Sequence, residues 1–327
     1  MLEVKNLCFS YIKDKKIIES LSFTLKQGNM LALVGESGSG KSTILKLVYG
    51  LLEWESGEVI YRGKKLAGFK GNLVPGEPEF KYLEQDFGLM PYATVGENVG
   101  KFLSNIDLKE KQNRIMFLLD LVGMADYVDE KPISLSGGQK QRVALAKALA
   151  QTPSVLLLDE PFSQVDTFKK NILKRAVFDF AKENNISIIL ATHEIEDALA
   201  YADEMMIVKE GKIIRQGNPH DIYRNPENTY VANLFGENSI LKRSDFPNLF
   251  EDLVEDEILI YPHQFIISQS GIPVKVIRSY FMGSHYLVES ISKFKRFWFI
   301  SDESLPIGKG CFLQFYEYQK LLDNKFN

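Results

Sequence analysis

A short apolar run, Met30–Val34, leads directly into Gly35-Glu36-Ser37-Gly38-Ser39-Gly40-Lys41-Ser42, and a helical pattern follows from Lys41 to Tyr49. A strand that empties into a glycine-rich loop at the start of a helix belongs to a sheet on which that helix packs back, so this segment points to an α/β chain. The residue types match GxxxxGK(S/T). Glycines let backbone N–H groups curl around a phosphate, the helix N-terminus adds positive potential, Lys41 reaches the β- and γ-phosphates, and the Ser42 hydroxyl ligates Mg²⁺. Gly35, Ser37, Gly38, Gly40, Lys41, Ser42 and Thr43 are therefore the candidate ATP-binding residues.

A phosphate loop needs an acidic partner to hold the metal. Val155-Leu156-Leu157-Leu158 reads as a buried strand that ends in Asp159-Glu160-Pro161. Asp159 is the candidate Mg²⁺ ligand, and Glu160, one residue on and pointing elsewhere, is the candidate general base for an attacking water. Two further apolar segments, Ser187–Ala191 and Met205–Lys209, are separated by helical patterns, as in a parallel sheet covered on both faces. Leu2–Ser10, Ile18–Leu25 and Ser56–Lys65 read as strands and Gly68–Pro78 as a loop; from Val95 to about Val128 the pattern is helical, with Ile115, Leu118, Leu119 and Val122 on one face. The economical reading is a doubly wound α/β domain with a helical layer, over residues 1–236.

The chain has 327 residues, enough for a second domain, and 39 basic against 43 acidic side chains give a formal charge of −4. That balance argues against a surface that coats nucleic acid. No apolar run approaches the roughly 18 residues of a membrane span. The first residues lack a basic-then-apolar leader, which predicts that the chain stays in the compartment where it is made. The two cysteines, Cys8 and Cys311, lie near opposite ends and suggest neither a disulfide framework nor a metal knuckle.

Leu135-Ser136-Gly137-Gly138-Gln139 precedes a helical pattern and offers a hydroxyl and free N–H groups at a helix start, a second anion site in the same chain. On LSGGQ, the phosphate loop and Asp159-Glu160 together, residues 1–236 resemble an ATP-binding-cassette (ABC) ATPase. The resemblance implies a P-loop nucleotide-binding fold, hydrolysis of ATP with Mg²⁺, and a head-to-tail dimer in which the signature residues Ser136, Gly137, Gly138 and Gln139 close on the nucleotide of a second copy. It also implies that Tyr11 stacks on adenine, that Gln85 reaches the metal and the attacking water, that His193 senses the γ-phosphate, and that Asp166 in Ser163-Gln164-Val165-Asp166 is the acidic residue of the loop coupling the two sites. Gly88–Val95 and Glu97-Asn98-Val99 resemble the segment after that glutamine in importer ATPases, where an integral membrane permease docks. With no span of its own, the chain is then expected at the cytoplasmic face of the inner membrane as a peripheral subunit, with a solute-binding protein in the complete system.

Past Asn238 aromatic residues become denser and strand-like runs recur with Gly and Pro between them: Ile258–Tyr261, Val274–Ile277, Tyr286–Glu289 and Arg296–Ile300. Residues 237–327 are expected to form a small all-β, OB-like domain. Ile258–Ile267 and the Val274–Val288 hairpin, with Gly283 at its turn, resemble the transport-associated domain of importer ATPases, with Tyr261 and His263 in place of the usual Arg and Glu beside Pro262. Its single-module length tilts the cargo toward an inorganic ion, such as iron or a sulfate-like oxyanion, or a polyamine. Two other readings stay open on residues alone: a soluble ABC ATPase acting on nucleic acid or ribosomes, for which Phe294–Trp298 has the composition, and an exporter ATPase. Because Phe297 and Phe299 alternate with Arg296 and Trp298 as a half-buried strand would, no direct nucleic-acid partner is expected.

Overall fold

The computed structural model describes residues 1–13, 15–71, 76–84, 86–242, 257–293 and 295–315. It divides into two compact units, Met1–Ile222 and Tyr223–Asn327. The first contains, in chain order, β1 (Leu2–Ile12), β2 (Lys15–Leu25), β3 (Met30–Val34), α1 (Lys41–Tyr49), β4 (Ser56–Tyr61), β5 (Lys64–Lys65), α2 (Gly68–Gly71), β6 (Phe80–Leu83), α3 (Val95–Gly100), α4 (Leu108–Leu121), α5 (Gly137–Leu149), β7 (Val155–Asp159), α6 (Thr167–Glu183), β8 (Ser187–Thr192), α7 (Ile195–Tyr201), β9 (Glu204–Lys209) and β10 (Lys212–Gly217). A last short helix, α8 (Pro219–Arg224), lies at the division.

The main sheet has the order β10-β9-β3-β8-β7-β6. Its strands run parallel except β10, which pairs antiparallel with β9 at the edge. The inner strands are apolar through their middle positions because both faces are covered, with polar residues such as Asp159, Thr192 and Glu204 at their ends. Leu156, Leu158, Ile188 and Leu190 face one core with Val143 and Leu149 of α5 and Val177 and Phe178 of α6. Their sequence neighbours Val155, Leu157, Ile189 and Ala191 face a second core with Leu31, Leu33 and the α1 residues Ile44, Leu45 and Leu47. Each fully buried Leu or Ile contributes about 1.5–3 kcal/mol relative to exposure, so these alternating pairs hold the sheet in one register.

The second face is covered differently from a helix layer. An antiparallel sheet, ordered β2-β1-β4-β5, contributes Leu7, Phe9, Phe23 and Val59 to the core around α1. The Ser56–Lys65 run is folded in two, because Arg62 (φ 48°) and Gly63 (φ 77°) make the tight turn between β4 and β5. Gly68–Gly71, expected as loop, makes one helical turn. The helical stretch from Val95 is likewise interrupted: Asp107 caps α4 by accepting from the Glu110 N–H at 2.9 Å, and Ser104 accepts from the Ile106 N–H, so residues 101–107 satisfy their backbone outside a helix.

The second unit opens with α9 (Thr229–Leu234) and continues as β11 (Ser239–Lys242), β12 (Glu257–Ile260), β13 (Phe265–Ser268), β14 (Ile272–Phe281), β15 (Tyr286–Ser292), β16 (Lys295–Ser301) and β17 (Gly310–Phe315). Strands β11 and β12 pair with each other, and the remaining five form an antiparallel sheet ordered β13-β17-β14-β15-β16. Phe297 and Phe299 are fully buried with Val274, Val276, Val288 and Leu313, while Arg296 before them is exposed and Trp298 between them is half-buried. The Val274–Val288 hairpin turns at Gly283, whose φ of 93° suits glycine. This is a small all-β, OB-like domain following an α/β P-loop domain.

Candidate functional site

The phosphate loop leaves the carboxyl end of β3 and becomes α1. Gly35 must be glycine, because a Cβ there would meet the Val208 carbonyl at 2.1 Å. Gly40, directly before the helix, has φ 107°, and Gly38 sits at φ 82°. Lys41 is buried, and its Nζ donates to the Gly35 carbonyl at 2.7 Å and the Glu36 carbonyl at 2.9 Å. The ammonium therefore spans its own loop. Burial pushes its pKa down, and the nearby Glu160 and Asp159 carboxylates oppose that. Thr43, in the first turn of α1, lies 3.2 Å from the Tyr11 hydroxyl, and Tyr11 is 58% exposed with its ring edge-on to Phe9. Ser37 is exposed at the mouth of the loop.

Strand β7 brings its carboxylate to the same place. Ser42 donates to Asp159 Oδ1 at 3.0 Å and Tyr82 donates to Oδ2 at 3.1 Å. Burial pushes the Asp159 carboxyl up, and these two hydrogen bonds hold it back only in part. The same burial and the same carboxylate push the Tyr82 phenol up, so it stays a donor. A desolvated carboxylate beside a hydroxyl is a hard-oxygen pair that suits a small divalent cation, which would complete its shell with phosphate and water oxygens. Among the described residues there is no group of three or more His, Cys, Asp or Glu side chains that could hold a metal without such help.

Glu160 follows in an unusual backbone state, with φ 47° for a residue that carries a side chain. That conformation costs about 1–3 kcal/mol and persists only where surroundings enforce it. Here the Glu160 N–H donates to the Ala191 carbonyl at the end of β8, at 3.0 Å, and Gln141 Nε2 donates to the Glu160 carbonyl at 3.1 Å. The turn brings the Glu160 carboxylate to His193, whose Nδ1 lies 3.2 Å from Glu160 Oε1. Glu160 and His193 line one small pocket with Ser163 and Thr192.

The second loop is built as a cap. Ser136 accepts from the Gln139 N–H at 3.3 Å and Gln139 accepts back from the Ser136 N–H at 2.8 Å, a capping box at the start of α5. Ser136, Gly137, Gly138 and Gln139 line a separate cavity with Gln164 and Asp166. Asp166 precedes α6, and its carbonyl accepts from the Lys169 and Lys170 N–H groups. No residue of the phosphate loop lines that cavity. Within one chain the two anion-compatible loops therefore face different spaces. Gln85 lies outside the described residues.

Three buried polar side chains outside the candidate site residues support the site. Gln141 is one. Lys174, inside α6, is paired with Glu194 at 2.7 Å and with Asp197, the residues that follow His193, and Lys170 reaches Glu194 at 2.6 Å. Burial opposes the Lys174 charge, yet the bonds from Asp197 and Glu194 outweigh it and its pKa ends above the ordinary lysine value. Asn98, fully buried in α3, accepts from the Met90 N–H at 2.7 Å and donates to the Met90 and Thr94 carbonyls, fixing the 90–98 segment.

The chain is similar to known proteins over most of its length. A family model described as ABC transporter matches residues 18–163. Spermidine/putrescine import ATP-binding protein PotA of Mycoplasma capricolum subsp. capricolum is 31% identical, the match covering 92% of this chain and 90% of that protein. The protein of the same name from Mycoplasma mycoides subsp. mycoides is also 31% identical over the same shares. Among solved structures, a dimeric post-hydrolysis state of the ATP-binding cassette MJ0796 bound to ADP and Pi superposes with a TM-score of 0.59 at 25% identity, covering 67% of this chain and 99% of that one. CbiO1 from Clostridium perfringens, part of the transporter complex cbiONQ, gives 0.58 at 28% identity, covering 69% of this chain and 91% of that one.

Proposed function

The chain belongs to the ABC transporter family as an ATP-hydrolysing subunit, and from that premise we propose that two copies pack head to tail and drive import of a polyamine through separate membrane subunits. The observation that carries the dimer is the separation of the two loops: the phosphate loop and the Ser136–Gln139 cavity face different spaces in one chain, so each loop needs a partner's complement. The MJ0796 structure is described as dimeric and bound to ADP and Pi. The cargo reading rests on relatives named for spermidine and putrescine import, whose match runs through both units of this chain. No described helix is long and apolar enough to cross a membrane, so permease subunits supply the channel and this subunit sits against them at the cytoplasmic face, with a solute-binding protein delivering cargo.

In the catalytic reading, Lys41 and the loop N–H groups hold the β- and γ-phosphates, and Tyr11 stacks on the adenine. Ser42 and Asp159 would hold Mg²⁺, which supplies charge neutralisation on the transferred phosphoryl group. Gln85 is proposed to face the same metal and water. Glu160 accepts the proton of the attacking water, and His193, at 3.2 Å, orients that carboxylate at the γ-phosphate end. Asp166 and the signature residues of one copy complete the site of the other.

Lys41→Ala removes the only loop cation and also the ties to Gly35 and Glu36. A charge-assisted hydrogen bond is worth about 1.5–3 kcal/mol, so nucleotide affinity is expected to fall about 10- to 100-fold in a fluorescent-nucleotide titration. Unchanged affinity would remove Lys41 from the phosphate site. The cargo is tested by reconstituting the chain with its permease in vesicles. Spermidine or putrescine is expected to accumulate with ATP and to raise ATP turnover; stimulation by ferric iron or sulfate with none by polyamines overturns the cargo.

A further inference from the structure

Helix α5 carries two functions on adjoining turns. Its first turn is the signature loop, and one turn on the Gln141 side chain, only 3% exposed, reaches into the protein rather than toward the cavity. Its amide is used at both ends: Nε2 donates to the Glu160 carbonyl at 3.1 Å, and Oε1 accepts from the Gln164 N–H at 3.0 Å. These are the two ends of the segment that runs from the base toward Asp166. Nε2 also lies 3.5 Å from Ser163 Oγ within that segment.

Glu160 needs such a clamp. Its left-handed backbone has two polar groups: the N–H donates to the Ala191 carbonyl, and the carbonyl accepts from Gln141 Nε2 at 3.1 Å and, within its own turn, from the Ser163 N–H at 3.3 Å. The first bond fixes Glu160 to the sheet. The second fixes it to the helix whose N-terminus is the signature loop. A side chain with both a donor and an acceptor is required to satisfy a carbonyl and an N–H together, and among side chains of this length glutamine offers both without charge.

We infer that Gln141 is a positioning residue that sets the Glu160 carboxylate and ties its placement to the position of the signature helix. The inference rests on the proposed dimer and on Glu160 as base. In a head-to-tail pair the signature loop of a chain serves its partner's nucleotide while Glu160 serves its own, so this amide joins the two sites through a single side chain. Occupancy of one site is then felt as a displacement of the base in the other, and misplacement on the scale of an ångström is enough to cost two orders of magnitude in rate.

Two substitutions test it in the full chain. Gln141→Met keeps the length and removes both bonds; kcat is expected to fall about 100-fold with fluorescent-nucleotide affinity held within about twofold and the Hill coefficient for ATP moving to about 1. Gln141→Glu keeps the shape, and its buried carboxyl can donate only when protonated, so its kcat relative to the native chain is expected to rise as pH is lowered. A folded Gln141→Met variant with native kcat, or a Gln141→Glu variant whose relative kcat is flat with pH, overturns the inference; the second measurement decides alone if the Met variant does not fold. Glu160→Gln run alongside separates the two levels. If it abolishes turnover and the Gln141 variants do not affect kcat, the link fails and the base stands; if it turns over normally, the catalytic reading itself fails.

Discussion

Glu160→Gln is expected to lower ATP turnover by about 100- to 10,000-fold, the range a positioned general base supplies, while ATP still binds. The substitution keeps the shape of the side chain, and the backbone bonds that hold the φ 47° turn, from the Ala191 and Gln141 sides, do not involve the carboxylate. What is lost is the proton acceptor. A glutamine amide in that place offers His193 a hydrogen bond but cannot take a proton from water. Binding is expected to hold or tighten, because a negative charge close to Lys41 is removed from the neighbourhood of the triphosphate. Phosphate release and nucleotide retention measured on one preparation separate the two effects. A variant that hydrolyses at the native rate would move the base elsewhere.

Lys174→Met carries the largest expected cost in stability, about 3–5 kcal/mol, the range for removing one partner of a buried ion pair. Lys174 is buried in α6 and faces Glu194 and Asp197, and its loss leaves Glu194 with Lys170 and takes from Asp197 the ammonium it is paired with. Burial already pushes the Asp197 carboxyl up. A carboxyl whose folded pKa lies above its unfolded value stabilises the fold more at low pH and less as pH rises, so the deficit of the variant should shrink toward acid. The double variant Lys174→Met, Asp197→Leu should recover much of the loss, since an apolar pair of similar volume removes the unpaired charge. The chain has two tryptophans, Trp54 in the first unit and Trp298 in the second, so urea titration by fluorescence in a Trp298→Phe background reports on the unit concerned. A midpoint shift worth less than about 1 kcal/mol would show that the network is solvated in solution.

What the sequence made legible is chemistry that follows from neighbours in the chain. The phosphate loop is one continuous segment, and Asp159-Glu160 sits at the tip of a strand whose apolar run marks it; Leu135–Gln139 is a cap written in five letters. The geometry around them is different in kind. Gln141 acts on residues 19 and 23 positions away, and Lys174 on residues 20 and 23 away. A lone glutamine or lysine on a helix looks like a solvated residue until the fold brings a buried carbonyl or carboxylate beside it. The same limit explains the covering of the main sheet. Apolar strands announce that both faces are buried, but whether a helix or the β1, β2 and β4 strands do the covering depends on a packing partner far away in sequence. In the second unit the alternation of Phe297 and Phe299 with Arg296 was enough, because a strand with one packed face needs only its own period.

Lys41 spends its hydrogen bonds on the carbonyls of its own loop, and that has a kinetic consequence. These bonds close the loop on itself, so the chain's own groups hold its shape and it is expected not to have to fold around a nucleotide. Little ordering entropy is then charged to the encounter, and ligands that enter preformed sites associate at rates set by diffusion and orientation rather than by a search for loop conformation. Exchange of spent for fresh nucleotide is accordingly gated by access to the loop.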